Sequence, residues 1–546
     1  VARKRTPPAE QAFLDDIVAH PDDDAPRLVF ADWLEDRGEA ARAEFIRLQC
    51  RLAQLDEDDP ERTDLAERER ELLHAYRGPW LEGWPAWTRR ERPAFRRGFL
   101  ASLNMTCGTF LRSARALFAR GPLEQVTLRG CRGRLAEVLA QPCLARVSAL
   151  TVVESFTDAD VRALVACPHL GRLRRLALGY PLRVRDTLAV LAAWPGLAGL
   201  THLSLGGYSQ AFDELPALLA SPHLTGLRSL GLTAQRPGPS VGLLAGPKFA
   251  TLTELRLNGC LIEAAEVRAL CGPGGLPNLR RLGLADNPLT AEGVALLARS
   301  PLLGRLHALD LKRCDLDAGG VEALAAAGAG ALRHLDLSGN SLGGAETAIL
   351  AAGAFQGLLE LDLGNNRVGA DGAAALGRSA GLPRLRSLVL ARNRLGPEAV
   401  AALTAGGGLP ALTHLDLESN RVAAGGARSL AGWPGLAGVC VLSLARNAMN
   451  DDGVRALAGS PHAAGLRHLN LEYNHLSNKA ALALAASPHL RSLRELSVWG
   501  NRHLNAKGAR ALAASPNLPH LLAATVTDLP PATFQALLRE HGKGLP

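Results

Sequence analysis

Fifteen times between Leu123 and Asn501 the chain repeats one phrase: an apolar residue, two variable residues, Leu-x-Leu, then a polar stop. Clear copies are Leu332-Arg-His-Leu335-Asp-Leu337-Ser-Gly-Asn340 and Leu412-Thr-His-Leu415-Asp-Leu417-Glu-Ser-Asn420. The phrases begin at 123, 147, 173, 200, 227, 252, 279, 306, 332, 358, 385, 412, 439, 466 and 493. Their spacing is 24 to 27 residues, and 27 in most intervals. A unit of this length cannot bury its apolar face alone, so neighbouring copies must stack into a solenoid. Such a core grows lengthwise, and 546 residues need not divide into several ordinary globular domains.

Within a phrase, Leu335 and Leu337 alternate with polar neighbours, the period of a strand with one buried side. The second half of each repeat reads as a helix. Thr290-Ala-Glu-Gly-Val294-Ala-Leu296-Leu297-Ala-Arg-Ser300-Pro301 offers Thr290 as a cap, helical apolar spacing and a proline stop. Asp451 to Pro461 follows the same logic. Strand plus helix at this period resembles the cytoplasmic leucine-rich repeats of the ribonuclease-inhibitor type, over about residues 123–519. The resemblance implies an α/β solenoid, a leucine-rich-repeat horseshoe with a parallel concave sheet and convex helices. Strands sit about 4.8 Å apart while packed helices need about 8–10 Å, so such a stack must bend. Fourteen strand spacings give a concave sheet of about 67 Å.

Residues 1–98 stand outside the repeats. Glu10–His20, Arg27–Glu35 and Arg42–Leu55 read as apolar-striped helices, with Gly38 breaking the last two. A charged segment, Asp56 to Glu71, leads to a stretch with Trp80, Trp84 and Trp87. Phe13-Leu14, Ile17, Pro21-Asp22-Asp23-Asp24, Arg27-Leu28-Val29-Phe30-Ala31-Asp32-Trp33-Leu34-Glu35, Gly38 and Arg42-Ala43-Glu44-Phe45-Ile46-Arg47-Leu48-Gln49 resemble the bacterial repeat-companion domain. The match covers roughly residues 11–50 and implies a small all-α N-terminal module. Phe95-Arg96-Arg97-Gly98-Phe99-Leu100 resembles the joint that leads from that module into repeats. The expected organisation is a companion module at 1–98, an N-terminal cap at 99–122, repeats at 123–519 and a C-terminal cap at 520–546. Leu100-x-x-Leu103-x-Met105 should form a capping strand, and Pro530–His541 a closing helix.

Asn287, Asn340, Asn366, Asn393, Asn420, Asn447, Asn474 and Asn501 end successive strands where the chain turns inward. An asparagine amide can satisfy backbone groups that the turn removes from water. Cys131, Cys260 and Cys314 fill the same slot, which accounts for their spacing without disulfides or metal. Earlier slots hold Ser155, Pro181, Tyr208 and Gln235, so the N-terminal half of the array is less regular. The nine cysteines include no Cys-x-x-Cys pair, and a reducing compartment is expected. The start, Val1-Ala-Arg-Lys-Arg, runs into a polar helix, and no stretch of about 18 apolar residues occurs, so a cytoplasmic, non-membrane protein is expected.

The net charge of +8 is unevenly placed. Residues 1–98 hold 17 basic and 22 acidic residues, and the remainder holds 44 and 31. Yet the inner face of the array is partly acidic. Groove-facing side chains occupy the third, fifth and seventh positions of each phrase. The fifth positions include Asp310, Asp336, Asp362 and Asp416. The third supply His334, Glu360, His414 and His468, and the seventh Lys312, Glu418 and Glu472. Aromatic anchors add two patches, Tyr180 with Tyr208 and Tyr473 with Trp499. No phosphate loop, His-Glu-x-x-His or Gly-x-Ser-x-Gly motif is present, and no cofactor or metal is implied.

These features point to a non-enzymatic scaffold binding a partner protein through the concave face. The alternative is a regulator of a partner enzyme, as leucine-rich-repeat proteins similar to the Ran GTPase-activating protein are, with Arg313, Arg392 or Arg446 as the inserted residue. Nucleic-acid binding through the basic array is a third reading, and the acidic inner strip argues against it.

Overall fold

The computed structural model describes residues 8–56, 59, 61–89, 93–153, 157–179, 187–206, 215–234, 236–272 and 274–543. The chain forms two compact units, residues 1–235 and 236–546.

The first unit opens with helices at Pro8–Ala19, Ala25–Asp36, Ala40–Gln54 and Glu61–Trp80. Leu14, Ile17, Phe30, Leu34, Ala43 and Ile46 form one core, closed by Phe99. Phe45, Leu48 and Leu72 form a second, with Tyr76, Trp80 and Phe95 packed on it. The fourth helix takes up most of the charged segment, for which the sequence reading names no helix. Leu65, Leu72, Leu73, Tyr76 and Trp80 place a sparse apolar stripe under its many charges, and tertiary packing of that stripe secures the helix. Asp32 is a surface carboxylate paired with Arg47, and Trp33 packs against Phe13 and Phe30.

A short strand, Ala94–Arg96, then folds back antiparallel on Phe99–Thr106. Phe99–Thr106 is also the first rung of a parallel series continuing through Gln125–Arg129, Ala149–Val152, Arg175–Leu178, His202–Gly206 and Ser229–Thr233. Register is locked by two buried rows. Leu103, Val126, Leu150, Leu176, Leu203 and Leu230 align in one, and Met105, Leu128, Val152, Leu178, Leu205 and Leu232 in the other. A slip of one residue would turn both rows outward.

Cys131 does not behave as a free thiol in a turn slot. It is disulfide-bonded to Cys107, the first residue of the helix Cys107–Phe118, with Cα atoms 5.3 Å apart. Stacking the first strand and helix against the next strand brings the two sulfurs together across 24 residues. The seven other cysteines are free.

The second unit repeats a plainer module. Eleven three-residue parallel strands are described, from Glu254–Arg256 to Ala523–Thr525. Their central residues align as Leu255, Leu282, Leu309, Leu335, Leu361, Leu388, Leu415, Leu442, Leu469, Leu496 and Ala524, all buried. Helices between them begin with Ala264–Leu270 and run to Ala506–Ala514, with Pro531–Glu540 closing the unit through Phe534 and Leu538. Thr290 is not the cap expected of it. It is the first residue of Thr290–Arg299, in the left-handed region at φ +55°, and the cap position before it is held by Leu289, which offers no side-chain hydrogen bond.

The asparagine column holds the repeats together. Asn340 Oδ1 accepts the backbone N–H groups of Cys314 and Leu316 at 2.8 and 3.3 Å. Its Nδ2 donates to the carbonyls of Leu311 and Leu337 at 2.8 and 3.0 Å. Each amide therefore ties its own strand end to the turn of the preceding repeat. In the first unit the corresponding slots at 155, 181, 208 and 235 lie outside the described residues. There Asp160 does similar work, accepting N–H groups of Gly133, Leu135 and Thr157 at 2.9, 3.1 and 2.9 Å.

Candidate protein-binding face

Because the strand leucines point into the unit, residues at alternate positions on the second unit's strands face solvent together. Parallel register sets Asp310 beside Asp336, and Asp336 beside Asp362. His334 stands beside Glu360, its Nδ1 2.9 Å from the Glu360 carboxylate. These residues line an open depression of about 380 Å³. Lys312 is exposed two residues beyond Asp310, and Asp416 and Glu418 follow farther along the same face.

The aspartates also have a local duty at their own strand ends. Each accepts the backbone N–H two residues on: Asp310 from Lys312 at 3.0 Å, Asp336 from Ser338 at 2.8 Å, Asp362 from Gly364 at 2.7 Å and Asp416 from Glu418 at 2.8 Å. That bond closes an Asx turn at the strand end. It engages Oδ1 and leaves Oδ2 for other partners.

Burial pushes the Asp362 carboxyl up to about 6, with Asp336 and Asp416 adding repulsion against the opposing pull of the Gly364 N–H and Lys312. Asp310 is raised too, chiefly by burial. Glu360 moves the other way, because the bond to His334 outweighs its burial. For a carboxylate raised in the fold, the native state binds the proton more tightly than the unfolded chain. Stability therefore grows as pH falls through the folded value toward the unfolded one. The shift from 3.8 to about 6 sets an upper bound near 3 kcal/mol, and solvent screening reduces it to about 1–2 kcal/mol. We expect the second unit to resist urea better near pH 5 than near pH 7.5, and Asp362→Asn to flatten that dependence. A wild-type midpoint that does not rise on acidification would contradict the assignment.

The expected aromatic patch at the far strands is present. Tyr473 and Trp499 meet edge to face, centroids 5.0 Å apart at 86°, and Trp499 is 46% exposed. Arg446 lies 4.0 Å over the Tyr473 ring and 3.7 Å from the Glu418 carboxylate. Burial raises Glu472, with Glu418 adding to the effect and Arg446 opposing it. His468 pairs with Glu495 at 3.2 Å across the same strands. His414 Nδ1 is 2.8 Å from the Thr413 hydroxyl. Tyr180 and Tyr208 lie outside the described residues.

Sequence reading missed Glu254, Arg256 and Arg281, which also line the depression. They occupy third and fifth positions in the phrases starting at 252 and 279, so the same counting begun earlier would have found them. The depression is therefore acidic at its centre and cationic toward Arg256 and Arg281. Among the described residues no group of three or more His, Cys, Asp or Glu side chains is arranged to hold a metal ion. Among the same residues no helix is long and apolar enough to cross a membrane.

A family model described as Leucine Rich repeat matches residues 275–298, 306–325, 358–377, 409–431, 441–458 and 466–485, and a second, Leucine Rich Repeat, matches 331–351. No curated protein matches the chain. Among solved structures, a crystal structure of the Rad7 and Elc1 complex in yeast aligns at 13% identity and a TM-score of 0.34, covering 96% of this chain and 98% of that one. Leucine-rich repeats thus recur between residues 275 and 485, and their register-locked strands and intervening helices form an α/β solenoid.

Proposed function

We propose that this protein is a non-enzymatic interaction scaffold whose second unit binds a partner protein on its strand-lined face. The carrying observation is the row Asp310, Asp336 and Asp362, in register and open to a depression, with one oxygen of each left for a partner. Three carboxylates on adjacent strands repel one another, and a basic segment laid across them relieves that repulsion. Asp416, Glu418, His414, His334, Glu360 and Lys312 extend this docking strip. Tyr473 and Trp499, with His468 and Glu472 beside them, supply an aromatic anchor of the kind that dominates interface energies.

The same reading takes the repeats as ribonuclease-inhibitor-like and residues 11–50 as a bacterial repeat-companion module. Seven free thiols fit a cytoplasmic setting, which the Cys107–Cys131 bond opposes.

The test is affinity capture from the native host, followed by binding of the captured partner to two variants. Asp336→Arg/Asp362→Arg and Tyr473→Ala/Trp499→Ala should each weaken binding by about tenfold or more. Equal binding by both variants and the wild type would refute the assignment of the face.

A further inference from the structure

The loops between strand ends and helix starts carry a second charged surface. Arg367, Arg394 and Arg421 occupy one column, each following the repeat asparagine (Asn366, Asn393, Asn420) in three successive repeats. Arg392 stands two residues before Arg394, on the other side of Asn393. All four are exposed, and among the described residues no carboxylate lies within ion-pair distance of any of them. Other exposed arginines of the unit, Arg299, Arg428 and Arg510 among them, have no ion pair among the described residues either, so the feature here is the alignment of three in one column. Arg313 and Arg446 share the column of Arg392, and they pair with Asp286 and Glu418 respectively.

The column is held in place by buried neighbours. Asn393 and Asn420 are anchored by their amide ladders, and the Arg367 N–H donates to the Leu342 carbonyl at 2.8 Å. Arg392, Arg394 and Arg421 sit at φ +60°, +53° and +59°. Asp371 and Glu398, in the first turns of the helices Gly369–Gly377 and Gly396–Thr404, soften the local charge without pairing with it.

We propose that Arg367, Arg394 and Arg421, helped by Arg392, bind an acidic segment of a protein partner. The spacing suits an extended peptide crossing the repeats. Successive strands are about 4.8 Å apart and packed helices about 8–10 Å, so loops joining the two step by an intermediate distance. Alternate side chains of an extended peptide are about 6.6 Å apart, which falls in that interval and offers one carboxylate per arginine. Nucleic acid fits worse on two counts. Between Gln356 and Gly432 the chain has no Phe, Trp or Tyr on which a base could stack. The strand-lined face of the same repeats carries Glu360, Asp362, Asp416 and Glu418, which repel a continuous polyanion. None of this requires the acidic face to be a docking strip.

The probes are a short labelled polyglutamate peptide and a single-stranded oligothymidylate of equal charge, each titrated into the full chain at low ionic strength. The wild type should bind the peptide more tightly than the oligonucleotide. Arg367→Glu/Arg394→Glu/Arg421→Glu should weaken the peptide complex about tenfold or more. Arg299→Glu/Arg510→Glu/Arg539→Glu, an equal charge change on helices elsewhere on the unit, should leave it within about twofold. If the glutamate triple fails to fold, the glutamine triple at the same positions should still weaken binding by several-fold. Equal loss in both triples, tighter oligonucleotide binding, or no peptide binding would each overturn the proposal.

Discussion

Asn420→Ala should lower the stability of its part of the second unit by about 3–5 kcal/mol, more than an ordinary buried substitution. Asn420 is fully buried. Its Oδ1 accepts from the backbone N–H groups of Asn393 at 2.8 Å and Leu395 at 3.4 Å. Its Nδ2 donates to the carbonyls of Leu390 at 2.7 Å and Leu417 at 3.1 Å. Alanine removes these bonds, together with a weaker one from Nδ2 to the Glu418 carbonyl at 3.3 Å, and puts nothing in their place. The N–H groups of Asn393 and Leu395 then stay unpaired in a site that water does not reach, each at a cost of about 1–3 kcal/mol before relaxation, while the Leu390 and Leu417 carbonyls keep the amides of Asn393 and Asn447. In a solenoid that loss is felt first by adjoining repeats. Hydrogen exchange should accelerate across residues 385–447, while amides of residues 99–130 keep their protection. Unchanged exchange across 385–447 would show that the amide ladder is dispensable.

Much of this architecture was legible because the period is a direct image of the packing. The leucine pairs that alternate in each phrase are the buried rows, and Leu103 and Met105 begin those rows in the strand expected of them. What sequence did not disclose were contacts made between repeats. Asparagine at a turn announces a need for hydrogen bonds, but a one-dimensional reading does not say that most partners of the Asn340 side chain lie 24 to 29 residues earlier. Serine at the helix exits shows the same blindness. Ser487, just ahead of Pro488, donates its hydroxyl to the Ala458 carbonyl at 2.5 Å, joining the helix ends of neighbouring repeats. The Cys107–Cys131 pair is a third case, since neither spacing nor motif separates it from seven thiols that stay free.

The candidate site was legible in position and less so in chemistry. Counting third, fifth and seventh positions identified Asp310, His334, Asp336, Glu360 and Asp362, which share one depression. The Asx turn at each aspartate lies only two residues away and could have been read locally, because aspartate ahead of a turn is a common acceptor for that N–H. Charge repulsion alone was a poor guide to the row. Burial has a larger effect on Asp362 than the neighbouring aspartates do. The unpaired arginine column was overlooked because only distances separate an exposed arginine with a partner, such as Arg313, from one without.

Gly98→Ala is expected to destabilise the joint between the helical module and the first strands by about 3–5 kcal/mol, through two additive causes. Arg97 and Gly98 form the turn between Ala94–Arg96 and Phe99–Thr106, with Gly98 at φ +87°. An alanine there is strained by about 1–2 kcal/mol in any surroundings. The surroundings add more, because a Cβ on Gly98 would come 2.3 Å from Ile46 Cγ1 and 2.8 Å from the Ile46 backbone. Ile46 belongs to the helix Ala40–Gln54 and is fully buried, so it can retreat only by disturbing the core that includes Phe30 and Phe99. The Gly98 N–H also donates to Gln49 Oε1 at 2.6 Å, and Arg97 reaches Asp24 at 3.2 Å and the Asp22 carbonyl at 2.9 Å. Displacing the turn breaks these bonds together. Gly38 provides the control, since it has φ +82° and a Cβ added there would meet nothing within 4 Å. Gly38→Ala should therefore show the strain alone, about 1 kcal/mol, and Gly98→Ala the strain plus the clash. Limited proteolysis and hydrogen exchange read both, with cleavage and exchange rising in residues 40–54 and 94–106 for Gly98→Ala only. Equal behaviour of the two variants would mean that the module does not bear on the turn, and that the first strand is held by its parallel neighbour alone.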